Sequence, residues 1–497
     1  MLPAVSLKAH WLPLLAGVLL PLAFAPLNFS LLALFVPLVL YVRWEGVPPR
    51  QAFKDGYWFG LGFFGVGVSW IFVSIHDMGD LPLGLAILLT GVFIAFLSLF
   101  PATQGLLAAR LFPQPGWKRS VLAMPALWVA WEGLRGWVFT GFPWLYLGYS
   151  QLGGPLESFA PLLGVLGVSL AVASGSGMLL CAWRATDWWQ RGGWLIGAVS
   201  LGGIGLALHH YPWTQSNGSP LSVALVQVAI PQTVRWQPQR RQESVRRYLD
   251  LSRRHWGTQI IVWPENALPV FYHEAANFLD ELAREAKERG TELLIGLPVM
   301  DLDRDRYYNG LVSLPGGEIY RKQQLVPFTE FLPFKNWLGR LITFLQIPMS
   351  DFSPGSSQQP PLTVANRRVG VTICYEAAFP QTVAAALPDA DLLVNISNDG
   401  WFGRSLAPHQ HLQMAQMRAL ETGRFLLRGA NTGISALIDP YGQVIRRSSQ
   451  FEDDVVTGEV LPMTGSTPYV ILGDRVLWTL LILLLVAAYR SSNSGSG

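Results

Sequence analysis

Hydrophobic and polar positions along the chain change character near residue 211. Before that point, long apolar runs recur with few charges among them. After it, short β-branched runs alternate with amphipathic stretches. A helix needs about 20 mostly apolar residues to cross a bilayer core. Runs near 11–26, 28–43, 56–75, 82–109, 119–136, 159–183 and 193–210 are read as spans, with a last one near 470–489. The pattern therefore predicts a helical membrane region at 1–210 with seven spans, a soluble domain at 211–468, a returning span at 469–490 and a disordered tail at 491–497. The segment after Met1 is followed by further spans and reads as a retained signal anchor, not a cleaved signal peptide.

Inside 211–468 the runs "LSVALVQVAI" (221–230), "TQIIVWPEN" (258–266), "TELLIGLPV" (291–299), "RVGVTICYE" (368–376) and "DLLVNISND" (391–399) have the length and β-branched content of buried strands. Helical periodicity at 239–256, 272–289 and 408–423 separates some of them. Strands at 308–314 and 317–322, and again around 425–447, read as hairpins closed by "PGG" and "DPYG" turns. Strands alternating with helices predict an α/β layered domain with mixed sheets. No tandem repeat is visible.

Charge adds an orientation. Lys and Arg collect in cytoplasmic loops, and here Lys8, then Arg43, Arg50 and Lys54, then Arg110, Lys118 and Arg119, then Arg184 and Arg191, and finally Arg490 fall in every second connection, with Arg135 the main exception. Both termini are then cytoplasmic and the soluble domain is extracytoplasmic. With 51% hydrophobic and 14% charged residues the composition is that of a membrane protein; a net charge of +3 over 497 residues says nothing by itself about nucleic acid, and no nucleic-acid partner is expected. The two cysteines, Cys181 and Cys374, stand in unrelated contexts, which argues against a disulfide framework and excludes a clustered cysteine metal site. The eight histidines form no HExxH pattern, and Cys181, inside a predicted span, reads as inert.

Three polar residues stand at or just past predicted strand ends, where α/β sheets place ligand sites: Glu265, Lys322 and Cys374. A carboxylate can take a thiol proton and a fixed ammonium can stabilise an oxyanion, so the three form an acyl-transfer set. From spacing alone other readings stand beside this one. Cys374 fits a small buried core residue, Glu265 a cap after Pro264, and Lys322 a solvated strand position.

The segments "WPEN", "YRKQQLVPFTEF" and "GVTICYE", in that order and spacing, resemble the nitrilase superfamily, and "WEGLRGWVFTGFPW" (131–144) and "NISNDGWFG" (395–403) resemble its membrane branch, the apolipoprotein N-acyltransferases. The resemblance covers nearly the whole chain. It implies an α-β-β-α sandwich, with Glu265 as general base, Lys322 as transition-state stabiliser, Cys374 as nucleophile and Glu330 as a supporting carboxylate. Where relatives often have Phe-Gly-Glu, this chain has Phe328-Thr329-Glu330, a difference that bears on a backbone position where glycine permits positive φ.

It also implies the substrates. An acyl chain passes from a phospholipid, phosphatidylethanolamine being the family's usual donor, to Cys374 as a thioester, and then to the amine of an S-diacylglyceryl-cysteine apolipoprotein. No metal or cofactor is implied, and a monomer is the default. Glu376 is expected to support the site by hydrogen bonds and Tyr375 to shape the pocket. Asn309, Asn398 and Trp401 lie in matched motifs. Trp236, Phe328, Phe331, Phe334, Trp337 and Leu338 are candidates for gating loops that enter lipid, the alternative being core. Glu132, Arg135 and Trp144 cluster near the outer end of a span, where Arg135 would meet a lipid phosphate or pair with Glu132. The rivals are a membrane-tethered amidase or nitrilase whose acyl-enzyme is resolved by water, and a transporter or scaffold whose soluble domain only binds.

Overall fold

Alternation along the strands decides which side chains lie between two sheets and which lie under helices. In the computed structural model, which describes residues 10–209, 211–232, 238–332 and 351–493, the chain divides into two compact units. One comprises Met1–Phe72, Pro82–Tyr211 and Ile471–Gly497, the other Val73–Leu81 and Pro212–Val470.

The first unit is helical: α1 (Trp11–Leu19), α2 (Leu32–Arg43), α3 (Pro49–Gly67), α4 (Trp70–His76), α5 (Leu83–Leu111), α6 (Met124–Arg135), α7 (Ala160–Arg184), α8 (Trp188–Leu208) and a last helix at Arg475–Asn493. Helices α3 and α5 approach through small residues. A Cβ at Gly56 would lie 2.2 Å from the Pro101 carbonyl oxygen, and one at Gly60 would lie 2.6 Å from Ser98 Cα. Such close backbone approach lets van der Waals packing hold helices together where lipid removes the hydrophobic drive. Along α8, Trp188, Trp189, Ile196, Val199 and Leu206 are exposed.

Eight spans were expected. Among the described residues three helices are long and apolar enough to cross a membrane, Leu83–Leu111, Pro155–Arg184 and Trp188–Leu208, and a fourth if α3 and α4, bent by 58°, count as one. The other expected spans rest on shorter or more polar helices. Trp11–Ala23 and Leu32–Arg43 fall short of the length a crossing needs. The 119–136 run becomes a π-helical turn, Arg119–Ala123, followed by the 12-residue α6. The last run is broken at Gly473, whose φ is +59°, between Pro468–Leu472 and Arg475–Asn493.

The second unit opens with a two-residue strand, β1 (Gln215–Ser216), followed by β2 (Leu221–Gln227), α9 (Pro238–Arg253), β3 (Ile260–Val262), α10 (Ala276–Glu288), β4 (Glu292–Asp301), β5 (Arg306–Leu314) and β6 (Ile319–Arg321). After these come β7 (Leu362–Val364), β8 (Arg367–Ile373), β9 (Leu392–Ser397), β10 (Leu426–Ala430), β11 (Ala436–Ile438), β12 (Val444–Arg447), β13 (Asp454–Val460) and β14 (Met463–Thr464). Two six-stranded sheets form, in the orders β13-β2-β3-β4-β5-β6 and β7-β8-β9-β10-β11-β12. Read in these directions both show the same run of pairings: antiparallel, two parallel, then two antiparallel. The repeat that the sequence hides is thus present in topology.

Leu221, Val223 and Leu225 of β2 and Ile260 and Val262 of β3 face Val369, Val371, Ile373, Val394 and Ile396 across the sheet interface. The alternate residues Ala224, Val226, Ile261 and Ile295 pack on Tyr248 of α9 and Leu279 and Leu282 of α10. On the other side, Leu393, Leu426 and Ala436 meet Leu412, Ala415 and Ala419 of the helix Ala407–Thr422. The period-2 pattern therefore yields three apolar layers, one between the sheets and one under the helices on each side, and an α-β-β-α sandwich, as expected.

Candidate active site

Each of the three expected residues sits where a strand runs out. Glu265 follows β3 by three residues, Lys322 comes directly after β6, and Cys374 directly after β8. The segment carrying Glu265 lies against β4 because Gly296 leaves room for it. A Cβ there would stand 2.3 Å from the Pro264 carbonyl oxygen and 2.8 Å from Glu265 Cα. Cys374 has φ +52°, the left-handed region that costs a non-glycine residue about 1–2 kcal/mol. Its surroundings therefore impose that turn.

Around Lys322 two carboxylates converge. Its Nζ lies 2.9 Å from Glu330 Oε1 and 3.6 Å from Glu265 Oε1. Asn309 Nδ2 donates to both carboxylates, at 2.6 Å to Glu265 and 3.1 Å to Glu330. Glu265 Oε2 accepts from the Asn398 backbone N–H at 2.7 Å, and Glu330 Oε2 from that of Val326 at 2.8 Å. All of these side chains are buried. Burial alone would lower the Lys322 pKa, but Glu330 and Glu265 outweigh it and hold the ammonium above its ordinary value. Burial pushes the Cys374 thiol up and the Glu265 charge adds to that, while Lys322 and a hydrogen bond with Ser397 oppose it, so the resting group is a thiol. The site thus holds carboxylates, a thiol and a fixed cation away from water.

Glu376 joins two of these strand ends. Its carboxylate accepts from the backbone N–H groups of Gln323 and Gln324, just past Lys322, and from that of Ile373, just before Cys374, and from the Tyr320 hydroxyl. Burial raises its pKa to about 7 against these donors.

Three further charged or titratable residues stand behind the nucleophile, and the sequence reading missed them: Asp399, His411 and Arg428. His411 Nε2 lies 3.0 Å from the Cys374 carbonyl oxygen, which can only accept, so Nε2 carries the proton. Burial and Arg428 hold the His411 pKa below its usual value, against the pull of Asp399. The His411 Nδ1 lies 3.0 Å from both Asp399 Oδ1 and Arg428 Nη2, and Arg428 Nη2 donates to Asp399 Oδ2 at 2.8 Å. Burial alone would raise Asp399, yet Arg428 and His411 keep it well below the usual carboxylate range. Asn395 and Arg428 occupy helix-facing positions of otherwise apolar strands, and those breaks in the pattern were the signal available in the sequence.

The other expected residues divide. Asn309 and Glu330 belong to the charged cluster, and Tyr375 is buried with its ring edge-on to Phe379 at 5.0 Å. Asn398 supplies the backbone N–H to Glu265, and its side chain donates to Gln232 Oε1 at 2.8 Å. Trp401 lies half-buried in the turn Asp399–Phe402. Phe328 is 53% exposed, and the positive φ of its loop, +62°, falls on it and not on Thr329, so Thr329 in place of glycine is not itself in the left-handed region. The Phe331 carbonyl accepts from the Phe328 N–H at 2.8 Å. Trp236, Phe334, Trp337 and Leu338 lie outside the described residues.

In the helical unit Arg135 donates to the carbonyls of Phe142, at 2.9 Å, and of Trp144, and its guanidinium lies over the rings of Phe64 and Tyr146. Glu132 accepts from Trp128 Nε1 and from the Leu147 N–H. The two together fasten the 142–147 segment to α6. Trp144 is buried against Trp70 and Phe142.

A sandwich of two mixed sheets with a carboxylate, an ammonium and a thiol at its strand ends is the architecture of the carbon-nitrogen hydrolases, and residues 222–469 match the model of that family. Residues 16–178 match the apolipoprotein N-acyltransferase N-terminal domain. The chain is 43% identical over 472 residues to an apolipoprotein N-acyltransferase of Methylococcus capsulatus, covering 94% of this chain and 93% of that one. It is 43% identical over 490 residues to one of Azotobacter vinelandii (95% and 93% covered) and 41% identical over 489 residues to one of Pseudomonas aeruginosa (95% of each). The chain belongs to the apolipoprotein N-acyltransferase family.

Proposed function

We propose that this protein is the acyltransferase its family name describes, and that it works through a thioester on Cys374. The acyl chain comes from a membrane phospholipid, phosphatidylethanolamine being the expected donor, and ends on the N-terminal amine of an S-diacylglyceryl-cysteine apolipoprotein. The observation that carries this reading is the buried Lys322 ammonium, fixed between Glu265 and Glu330 and coupled to the Cys374 thiol.

In the first half-reaction Glu265 takes the thiol proton and Sγ attacks the ester carbonyl carbon. Lys322 stabilises the resulting oxyanion, and the glycerol oxygen leaves with the proton from Glu265 as lysophospholipid. In the second, the acceptor amine attacks the thioester carbonyl, gives a proton to Glu265, and Cys374 leaves to recover it as thiol. One hard transfer is thereby divided into two. Glu330 and Asn309 keep Lys322 and Glu265 in place.

The chain sits in the bacterial inner membrane as a monomer, with residues 211–468 on the periplasmic side and both termini in the cytoplasm. The shorter apolar helices complete eight spans. The alternating loop charges support this orientation, and a reporter fused near Asn217 is expected to be active only when exported.

Intact mass of the purified protein, incubated with phospholipid of defined acyl chains and no acceptor, tests the chemistry. Wild type and Cys181→Ala gain one acyl mass, Cys374→Ala gains none, and a diacylated lipopeptide removes the adduct. Continuous release of fatty acid without an adduct would instead establish the hydrolase.

A further inference from the structure

The outer face of the second sheet carries a polar row that the acyl-transfer steps above do not use. Thr372 of β8, Asn395 of β9 and Arg428 of β10 are register neighbours and point toward the helix Ala407–Thr422. Asn395 Nδ2 donates to Thr372 Oγ1 at 3.1 Å, Arg428 Nη1 donates to Asn395 Oδ1, and Arg428 Nη2 donates to Asp399 Oδ2 at 2.8 Å. His411 lies beside Arg428 and Asp399 and donates to the Cys374 carbonyl at 3.0 Å. The hydrogen bonds leave β8 at Thr372 and return to its end at Cys374, and every side chain in the circuit is buried.

Stability does not account for this arrangement. Exchanging a buried ion pair such as Arg428–Asp399 for well-packed apolar residues is often neutral or stabilising. The corresponding face of the first sheet is apolar, with Ala224, Val226, Ile261 and Ile295. What the circuit does hold is one peptide group. Cys374 adopts φ +52°, and the carbonyl bonded to His411 belongs to the planar Cys374–Tyr375 peptide. In a trans peptide the N–H points away from the carbonyl, so anchoring the Cys374 oxygen sets the direction of the Tyr375 N–H and the side from which the thiol emerges.

Resting on the thioester reading, we propose that His411, oriented by Asp399 and Arg428, is a positioning residue for acyl transfer, holding the nucleophile in its left-handed turn through the Cys374 carbonyl. It touches no reacting atom. Its contribution belongs in the rate of thioester formation and not in the binding of lipid.

The test uses the full-length protein, a phospholipid of defined acyl chains and the single-turnover rate of acyl-adduct formation by intact mass, measured across lipid concentrations with the thermal midpoint alongside. In His411→Gln the amide reaches the position of Nε2 and can still donate to the Cys374 carbonyl. In His411→Asn it reaches only the position of Nδ1. His411→Asn is expected to lower the maximal acylation rate about 10- to 100-fold at an unchanged half-saturating lipid concentration, with His411→Gln staying within about threefold of wild type. Equal losses in the two variants, a loss that follows the thermal midpoint, or a wild-type rate in folded His411→Asn would overturn the role. If His411→Asn does not fold, His411→Gln decides: a rate within that threefold supports the donor role, and a tenfold loss or more in folded protein overturns it. A wild type that forms no adduct would sink the thioester reading and this inference together. An adduct formed equally fast by wild type and His411→Asn would sink only the role of His411.

Discussion

The two sheets of the sandwich share one order of pairings and differ in what lies beneath their helices. Under α9 and α10 the first sheet presents Ala224, Val226, Ile261 and Ile295, and its chemistry is confined to the strand ends that carry Glu265 and Lys322. Under the helix Ala407–Thr422 the second sheet interrupts its apolar face with Thr372, Asn395 and Arg428, which lead to Asp399, His411 and the backbone of Cys374. On the mechanism proposed above, one sheet supplies charge to the reaction through side chains. The other holds a backbone turn. The same scaffold repeated twice has thus been specialised at its ends on one side and through its face on the other.

The largest effect comes from the charged end of the first sheet. Lys322→Met leaves Glu265 and Glu330 joined by Asn309 with no cation between them, so both the oxyanion stabiliser and the charge balance go. Acyl-adduct formation by intact mass is expected to fall about 10³-fold or more. A drop of less than tenfold in folded protein would mean that the first sheet does not supply the charge that matters.

Stability separates the faces. Ile261→Ala removes a fully buried side chain from the apolar layer on the middle strand β3 and is expected to cost about 2–5 kcal/mol. Thr372→Val removes one hydrogen bond from the polar row and is expected to cost about 1 kcal/mol. Denaturant unfolding of the two variants beside wild type checks the ratio. Comparable losses would show that the polar row is a stability device after all.

How the sequence foretold these differences depends on the reach of each interaction. Strand ends at Glu265, Lys322 and Cys374 were legible in a few neighbouring residues, but spacing left each open to a structural reading, and only the resemblance of the surrounding motifs joined them into one set. The five core strands and the helices at 239–256, 272–289 and 408–423 were legible by periodicity and shifted by a few residues at most. Strand β13, which pairs with β2 across more than two hundred residues, left no local mark. The closure joining Cys374, Asp399, His411 and Arg428 left only the polar breaks at Asn395 and Arg428, which gain meaning when the fold brings them to the histidine. In the helical unit the hydropathy of the runs was readable. Their helical lengths were not, since Pro21 and Gly473 stand at helix breaks without lowering hydropathy.

Glu376 belongs to both sheets through the strand ends it joins, and pH reads that link. Its pKa is raised to about 7 in the folded protein, so between the unfolded carboxyl value of about 4.3 and 7 the folded form holds a proton that the unfolded form has lost. Its stability contribution is therefore full below that unfolded value and is lost as pH rises through about 7, a change of order 3 kcal/mol at most. Unfolding measured from pH 5 to pH 8 should show wild type weakening relative to Glu376→Gln. Parallel curves would show that Glu376 does not titrate there and that its backbone donors keep it ionised.

The smallest effects come from two glycines that set the approach of each sheet's key residue. A Cβ at Gly296 would press on the backbone of Pro264 and Glu265, whereas one at Gly433 would stand 2.4 Å from Asp399 Oδ2 and 2.6 Å from Asp399 Cβ. Gly296→Ala displaces Glu265, the proposed general base, a direct error in reacting geometry, and about a tenfold loss of acylation rate is expected. Gly433→Ala displaces Asp399, which touches Cys374 indirectly, through His411 and through the Ser397 hydroxyl that donates to it at 2.7 Å, so the error is diluted and about a threefold loss is expected. Single-turnover acylation of both variants compares them directly. If Gly433→Ala proved as damaging as Gly296→Ala, the turn that holds Cys374 would be as demanding as the group that takes its proton, and the division of labour between the two sheets would have to be abandoned.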